Sequence, residues 1–224
     1  MNVKIGVVAP YRELLDICKA TCAEIGENAD IRLGDLARGI SVARKMEQAG
    51  TDVIVSRGGT ALAIQRELDV PVVPIEVSPI DVMQALIEAR ERGRIIGVVG
   101  FKNIVYDIDQ MADILGITLV PIEIERESDA EPRIEAAVEQ GVQVVVGDAI
   151  STKTTVNLGV PSILIQSGKE AVRNAITEAK HIAAVRKREL QRTEEIKAIL
   201  DFAHEGIIGT NSNGTIHVFN PVAA

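Results

Sequence analysis

The sequence predicts an α/β protein: two tandem three-layer (α/β/α) units with four-stranded parallel sheets, followed by one long C-terminal helix. Three observations lead there. The strand-like runs are built from Val, Ile, Leu and Ala, with aromatic residues only 2% of the chain and no Trp, and such aliphatic runs suit parallel strands covered on both faces. They alternate with helical patterns in the βαβ manner. The pattern also starts again. Ile5-Gly6-Val7-Val8 returns as Ile96-Gly97-Val98-Val99, a shift of 91, and Gly50 and Val53 return at the same shift as Gly141 and Val144. Pro71 returns as Pro161, and Ala85-Leu86-Ile87-Glu88-Ala89 as Ala175-Ile176-Thr177-Glu178-Ala179, at a shift of 90. Ordered matches along a whole unit indicate a duplication.

Each element has a local reason. Strands are expected over 3–9, 29–33, 52–56 and 70–75. A helix over 36–49 stops at Gly50, where a left-handed cap is expected. The next, about 60–68, ends before Asp69-Val70-Pro71. Ser78-Pro79-Ile80-Asp81 opens another: a hydroxyl cap, Pro in the first turn and a carboxylate at the positive helix end. The organisation is therefore 1–90 for the first half, 91–168 for the second, 169–203 for a long linker helix, and 204–224 for the opening of a further domain. The long helix carries an apolar seam of Leu190, Ile196, Ile199 and Leu200, suited to pairing with a second copy in a homodimer. After it, "EGIIGTNSNGTIHVFNPVAA" reads as two strands around an Asn-Gly turn.

Composition narrows the function. A net charge of −8 argues against a nucleic-acid surface on this stretch. Two cysteines on one helix, Cys18 and Cys22, make no disulfide framework and suit a reducing cytoplasm. No leader pattern or membrane span is evident.

Two parallel units side by side form a cleft at the carboxyl ends of their strands, where open α/β sheets take ligands. "VIVSRGGTALAI" (53–64) runs from a strand into that cleft. A Walker loop is missing, since "SGKEA" (167–171) lacks the leading Gly and the hydroxyl, and no Gly-x-Gly-x-x-Gly follows either first strand. A racemase needs a Cys at a strand end in each half, whereas both cysteines lie on the first helix, where apolar packing is their ordinary role. A chelatase needs His or carboxylate ligands at the cleft, but His181, His204 and His217 fall in the long helix or the tail. Glu76 and Asp148 lie near strand ends as a conceivable carboxylate pair, with Asp148 equally suited to capping the next helix. No metal and no cofactor are expected.

Recognition remains. Arg12, Arg57 and Lys102 follow strands in three loops, and the amides of Gly58, Gly59 and Thr60 form an anion-friendly concavity. Arginine can hold a carboxylate by two parallel bonds. The plain alternative is that the glycines only permit a tight turn and that Arg57 is solvated. Tyr11, Phe101 and Tyr106 all follow a first strand, which suits the cleft wall or the contact between halves. Ser78, Asn103, Ser151 and Ser167 sit at helix starts, with N-capping their default role. The candidate ligand-binding residues are Tyr11, Arg12, Ser56, Arg57, Gly58, Gly59, Thr60, Ser78, Phe101, Lys102, Asn103 and Asp148.

With these residues in view, "VSRGGTALAIQRELDVPVVPIEVSPIDVMQALIEA" (55–89) and "VGDAISTKTTVNLGVPSILIQSGKEAVRNAITEA" (146–179) resemble the N-terminal receptor domain of the propionate-catabolism activator (PrpR-type) family, over roughly 1–190. The tail, ending Asn220-Pro221-x-Ala223, is similar to the start of a PAS domain. The resemblance implies a chelatase-like fold and a sensing domain that restrains a sigma-54-dependent activator until an effector such as 2-methylcitrate binds. It also implies downstream PAS, AAA+ ATPase and DNA-binding domains and RNA polymerase with sigma-54 as a partner of the full-length protein. This stretch itself is then no enzyme. The effector is expected to be an organic acid. The competing reading is a two-domain enzyme acting on a small carboxylate or amino acid.

Overall fold

The computed structural model describes residues 3–100, 109–124 and 127–223. The chain divides into two compact units, Asn2–Lys180 and His181–Ala224. The larger unit contains both halves of the repeat. In the first, β1 (Ile5–Ala9), α1 (Arg12–Ile25), β2 (Ala29–Leu33), α2 (Leu36–Gln48), β3 (Val53–Arg57), α3 (Gly58–Glu67) and β4 (Val72–Ile75) give a parallel sheet of order β2-β1-β3-β4. After α4 (Pro79–Arg90), the second half repeats it. Here β5 (Ile95–Gly100), α5 (Asp109–Leu115), β6 (Thr118–Glu123), α6 (Ala130–Glu139), β7 (Val144–Gly147), α7 (Ala149–Leu158) and β8 (Ser162–Leu164) form a parallel sheet of order β6-β5-β7-β8. Two four-stranded parallel sheets and a long final helix are as the sequence predicts. The third helix differs by starting two residues earlier, at Gly58, so the glycine pair lies inside its first turn.

The duplicated glycines have matching physical reasons. A Cβ on Gly6 would stand 2.9 Å from Met46 Sδ, and one on Gly97 would stand 2.8 Å from Ile122 Cδ1. Each strand thus has to lack a side chain where its own half packs tightly. Gly50 and Gly141, at φ +81° and +102°, close α2 and α6 in the left-handed region that favours glycine.

Packing does not follow chain order. α4 comes after the first sheet, yet its buried face of Val82, Ala85, Leu86 and Ala89 joins Ile96, Val98, Val144, Val146, Ile163 and Ile165 in the core of the second half. The helix after β8, α8 (Lys169–Asp201), carries the equivalent buried face, Val172, Ala175, Ile176 and Ala179, at a shift of 90. It returns to the first half: Lys169 and Arg173 pair with Glu24, and Lys180 with Glu27, around the C-terminal end of α1. The two halves therefore exchange helices.

Two short crossovers carry the exchange, and they lie side by side. Ser78 and Asp81 form a capping box at the start of α4, and the other Asp81 carboxylate oxygen accepts from Gly168 N–H at 3.2 Å. The Ser167 hydroxyl donates to the Glu76 carbonyl at 3.4 Å. Such paired strand-to-helix links are where two lobes can rotate against each other.

In the smaller unit the last turns of α8 are followed by a hairpin of β9 (Ile208–Thr210) and antiparallel β10 (Ile216–Phe219). Asn220, 1% exposed, ties this unit together. Its amide donates to the Leu200 and Glu205 carbonyls, and its side-chain oxygen accepts from Ile207 and Ala223 N–H. Of the expected seam, Leu190, Ile196 and Ile199 are exposed, Ile199 at 72%, as is Phe202. Among the described residues no helix is long and apolar enough to cross a membrane.

Candidate functional site

In both sheets the strand order reverses beside the first strand, between β1 and β3 and between β5 and β7. In open α/β sheets such a point is where loops diverge and a crevice forms at the carboxyl ends. In the first half this point is marked by Tyr11, just after β1, and by Arg57, the last residue of β3. A cleft at this place is lined by Pro10, Tyr11, Asp35, Leu36, Arg57, Gly58, Gly59, Thr60, Asp148, Ala149 and Lys153. Residues of both halves thus face one crevice.

Arg57 is its centre. The side chain is 3% exposed. Its Nη2 donates to the Ile165 carbonyl at 2.7 Å, across to the second half, and its Nη1 donates to the Tyr11 hydroxyl at 3.0 Å. The guanidinium carbon stands 5.6 Å from the Tyr11 ring centroid, within cation–π range. Among the described residues its buried Nε–H has no acceptor, and no ion pair includes it. A buried donor left without a partner costs about 1–3 kcal/mol. The site thus holds a desolvated cation one acceptor short. Tyr11 is pushed above the usual phenol range by burial, which outweighs the opposing influences of Arg57 and a backbone hydrogen bond from Ser167.

The neighbours of Arg57 have definite tasks. Gly58 has φ +53°, and a Cβ there would meet nothing within 4 Å, so backbone conformation alone favours glycine. The Thr60 hydroxyl accepts from Leu36 N–H at 3.1 Å. It thereby holds a residue with φ +38°, the one described non-glycine residue in the left-handed region, a strain of order 1–3 kcal/mol of the kind concentrated at functional sites. Asp35 occupies the N-cap position of α2 without capping it; instead its carboxylate pairs with Lys153 of the second half. That hydrogen bond is the main reason its carboxyl is held below the ordinary range. Asp148 accepts from the Ser151 amide and hydroxyl at 3.0 and 2.9 Å and so caps α7.

Of the sequence candidates, Tyr11, Arg57, Gly58, Gly59, Thr60 and Asp148 line this cleft. Ser56 lies buried within the sheet, its hydroxyl donating to the Val8 carbonyl at 2.8 Å. Arg12 is exposed on the first turn of α1. Ser78 caps α4 beside a separate cavity. Phe101, Lys102 and Asn103, with Tyr106, lie outside the described residues. Pro10, Asp35, Leu36, Ala149 and Lys153 were not anticipated. An Asp directly before a helix reads as a cap, and only the fold turns Asp35 toward Lys153.

The separate cavity, about 530 Å³, lies between the starts of α4 and α8. Glu76, Asp81, Glu170 and Glu178 line it with one lysine, Lys169, a balance that repels anions. Glu76 and Asp148 therefore line different cavities. Cys18 and Cys22 are buried on α1, and burial pushes Cys18 up to about 12, so neither is placed as a strand-end nucleophile. Among the described residues no cluster of His, Cys, Asp and Glu is arranged to hold a metal ion.

The structure is similar to that of an NtrC-family transcriptional regulator from Clostridium acetobutylicum, with 24% identity and a TM-score of 0.76, covering 83% of this chain and 99% of that one. Looser similarities include an ABC domain in complex with L-Trp from Streptococcus pneumonia (12% identity, TM-score 0.46, 81% of this chain and 85% of that one). Another is a probable LacI-family regulator from Corynebacterium glutamicum (13%, 0.44, 80% and 93%). The family model PrpR_N, described as propionate catabolism activator, matches residues 26–189, taking in the cleft lining apart from Pro10 and Tyr11, both crossovers and the start of α8. The chain belongs to the propionate catabolism activator family.

Proposed function

We propose that residues 2–180 are the effector-sensing part of a transcriptional activator, taking a small anionic metabolite between the two halves. One observation carries the reading. Arg57 is buried at the point where strand order reverses, reaches across to the other half, and keeps a donor unused. A carboxylate group is the complement of such a fork, and the amides of Gly58, Gly59 and Thr60 at the start of α3 favour the same charge.

The cleft is narrow, with a cavity volume of about 20 Å³, room for roughly one water. A metabolite enters only when the halves part. A ligand that fits the parted form and not the closed one shifts the population toward it. The effector is an organic acid in this reading, and α8 carries the change to whatever follows it. The hairpin at 208–219 is the opening of a PAS domain, ahead of AAA+ and DNA-binding domains that engage RNA polymerase with sigma-54. Two copies pair along the exposed seam of Leu190, Ile196 and Ile199.

Calorimetric titration of the 224-residue chain with a panel of mono-, di- and tricarboxylic acids tests this. A saturable heat is expected for one class. Arg57→Ala is expected to weaken it about thirtyfold or more, the cost of removing one member of a buried charged pair. Equal affinity in the variant overturns the placement of the site.

A further inference from the structure

The Arg57 guanidinium serves two places at once. It lines the cleft, and its Nη2 holds the carbonyl of Ile165, the residue after β8 and the first of the four, Ile165 to Gly168, that lead into α8. Asp81 holds the same four residues: its carboxylate accepts from Gly168 N–H at 3.2 Å. Of these two holds only Arg57 reaches into the cleft. The guanidinium presents its donors in a planar fork, and the edge formed by Nε and Nη2 is one of the two that can grip a carboxylate by two parallel bonds. In this structure Nη2 donates to Ile165, and Nε is free among the described residues.

We infer that Arg57 is a positioning residue that clamps the crossover into α8, and that a carboxylate seated in the cleft competes with the Ile165 carbonyl for the Nε–Nη2 edge. Occupying the cleft thereby loosens the start of α8 directly, without requiring the whole second half to be reshaped. The competition rests on the proposed reading of the cleft as an anion site; the clamp itself does not.

The test uses the 224-residue protein in two arms. The first needs no ligand. Hydrogen exchange is compared between the parent and Arg57→Lys, which keeps the charge and loses the fork. The peptide spanning residues 165–172 is expected to exchange roughly tenfold faster in the variant, as loss of one charge-assisted hydrogen bond implies, with β1 and β7 unchanged. Unchanged exchange at 165–172 overturns the clamp. So does acceleration spread evenly over both sheets, which would mark a merely structural role. If Arg57→Lys does not fold, Tyr11→Phe replaces it: it removes the hydroxyl that anchors Arg57 Nη1 at 3.0 Å, and the same local acceleration is expected. The second arm adds succinate to the parent and follows the Arg57 Nε–H nitrogen resonance, identified by its loss in the variant. A shifted resonance with faster exchange at 165–172 supports the competition. A shifted resonance with exchange unchanged overturns it and leaves the anion reading standing. An unmoved resonance counts against both the anion reading and the competition, while the clamp is decided by the first arm.

Discussion

Arg57 and Asp148 occupy the same place in the repeat, 91 residues apart, and face the same cleft with opposite charges. Around them the halves diverge in the same way. Ser56, whose hydroxyl donates to Val8, corresponds to Gly147, where a Cβ would stand 2.7 Å from the Ser151 hydroxyl. Left-handed Gly58 corresponds to Ala149, and Thr60 to Ser151. Away from the rim the halves agree. Gly6 and Gly97, Gly50 and Gly141, and the buried faces of α4 and α8 keep the same residue types for the same packing reasons. Duplication has preserved the scaffold, and the strand ends, where binding residues are carried on a rigid frame, have become different. One rim supplies a buried cation, the other a carboxylate committed to a helix cap.

Four measurements can break or sharpen this contrast. The largest effect is expected in the exchanged helices. Leu86→Ala and Ile176→Ala each empty a fully buried position, at about 3 kcal/mol by denaturant unfolding. Hydrogen exchange should show Leu86→Ala weakening β5, β7 and β8 first, although Leu86 belongs to the first repeat; early loss in β1 to β4 would contradict the exchange. Next come the strand glycines. Gly97→Ala and Gly6→Ala should each cost about 1–3 kcal/mol in thermal melts. Gly97 should suffer more, because both its nearest neighbours, Ile122 and Val142, are branched, whereas at Gly6 the nearest, Met46, can bend away and β-branched Thr51 stands slightly farther off at 3.1 Å. Equal costs would mean the two sheets yield alike.

The third measurement concerns the rim. Asp148→Ala removes the cap of α7 and should cost about 1 kcal/mol, while Asp148→Asn keeps an acceptor and should cost a few tenths. A large effect of Asn would show that the charge matters beyond capping. The smallest effect is the pH dependence of the Asp35–Lys153 bridge. The folded-state pKa of Asp35 is depressed by Lys153. Its contribution is therefore present above the unfolded-state value near 4 and fades as pH falls through the lower, folded value. The pair is partly exposed, Lys153 at 64%, so less than about 1 kcal/mol is at stake. Acid titration of parent and Lys153→Gln should differ only in that range; identical profiles would remove the bridge from the account.

The internal repeat made the sheets legible, because strand residues and turn glycines recur in order at shifts of 90 and 91. Arg57, Tyr11 and the glycine pair were legible too, since a strand running into Gly58-Gly59 has few other readings. Four features were not. The strained backbone of Leu36 leaves no trace in residue type. Asp35 reads as an ordinary cap. The partner of Arg57 is a main-chain carbonyl, and Ile165 could be any residue there. The reassignment of α4 is invisible for a related reason: an apolar helix face records that it is covered, not by which sheet.

That last feature bears on how the molecule comes into being. Since the helix completing the second half precedes it in the chain, and residues 169–180 pack back beside α1, a ribosome finishing residue 90 has released a β-layer still missing one of its companions. Severing the gene at the duplication boundary would leave each product with the other's helix and without its own. The tandem copies are interlocked, each resting on a helix that the chain joins to the other.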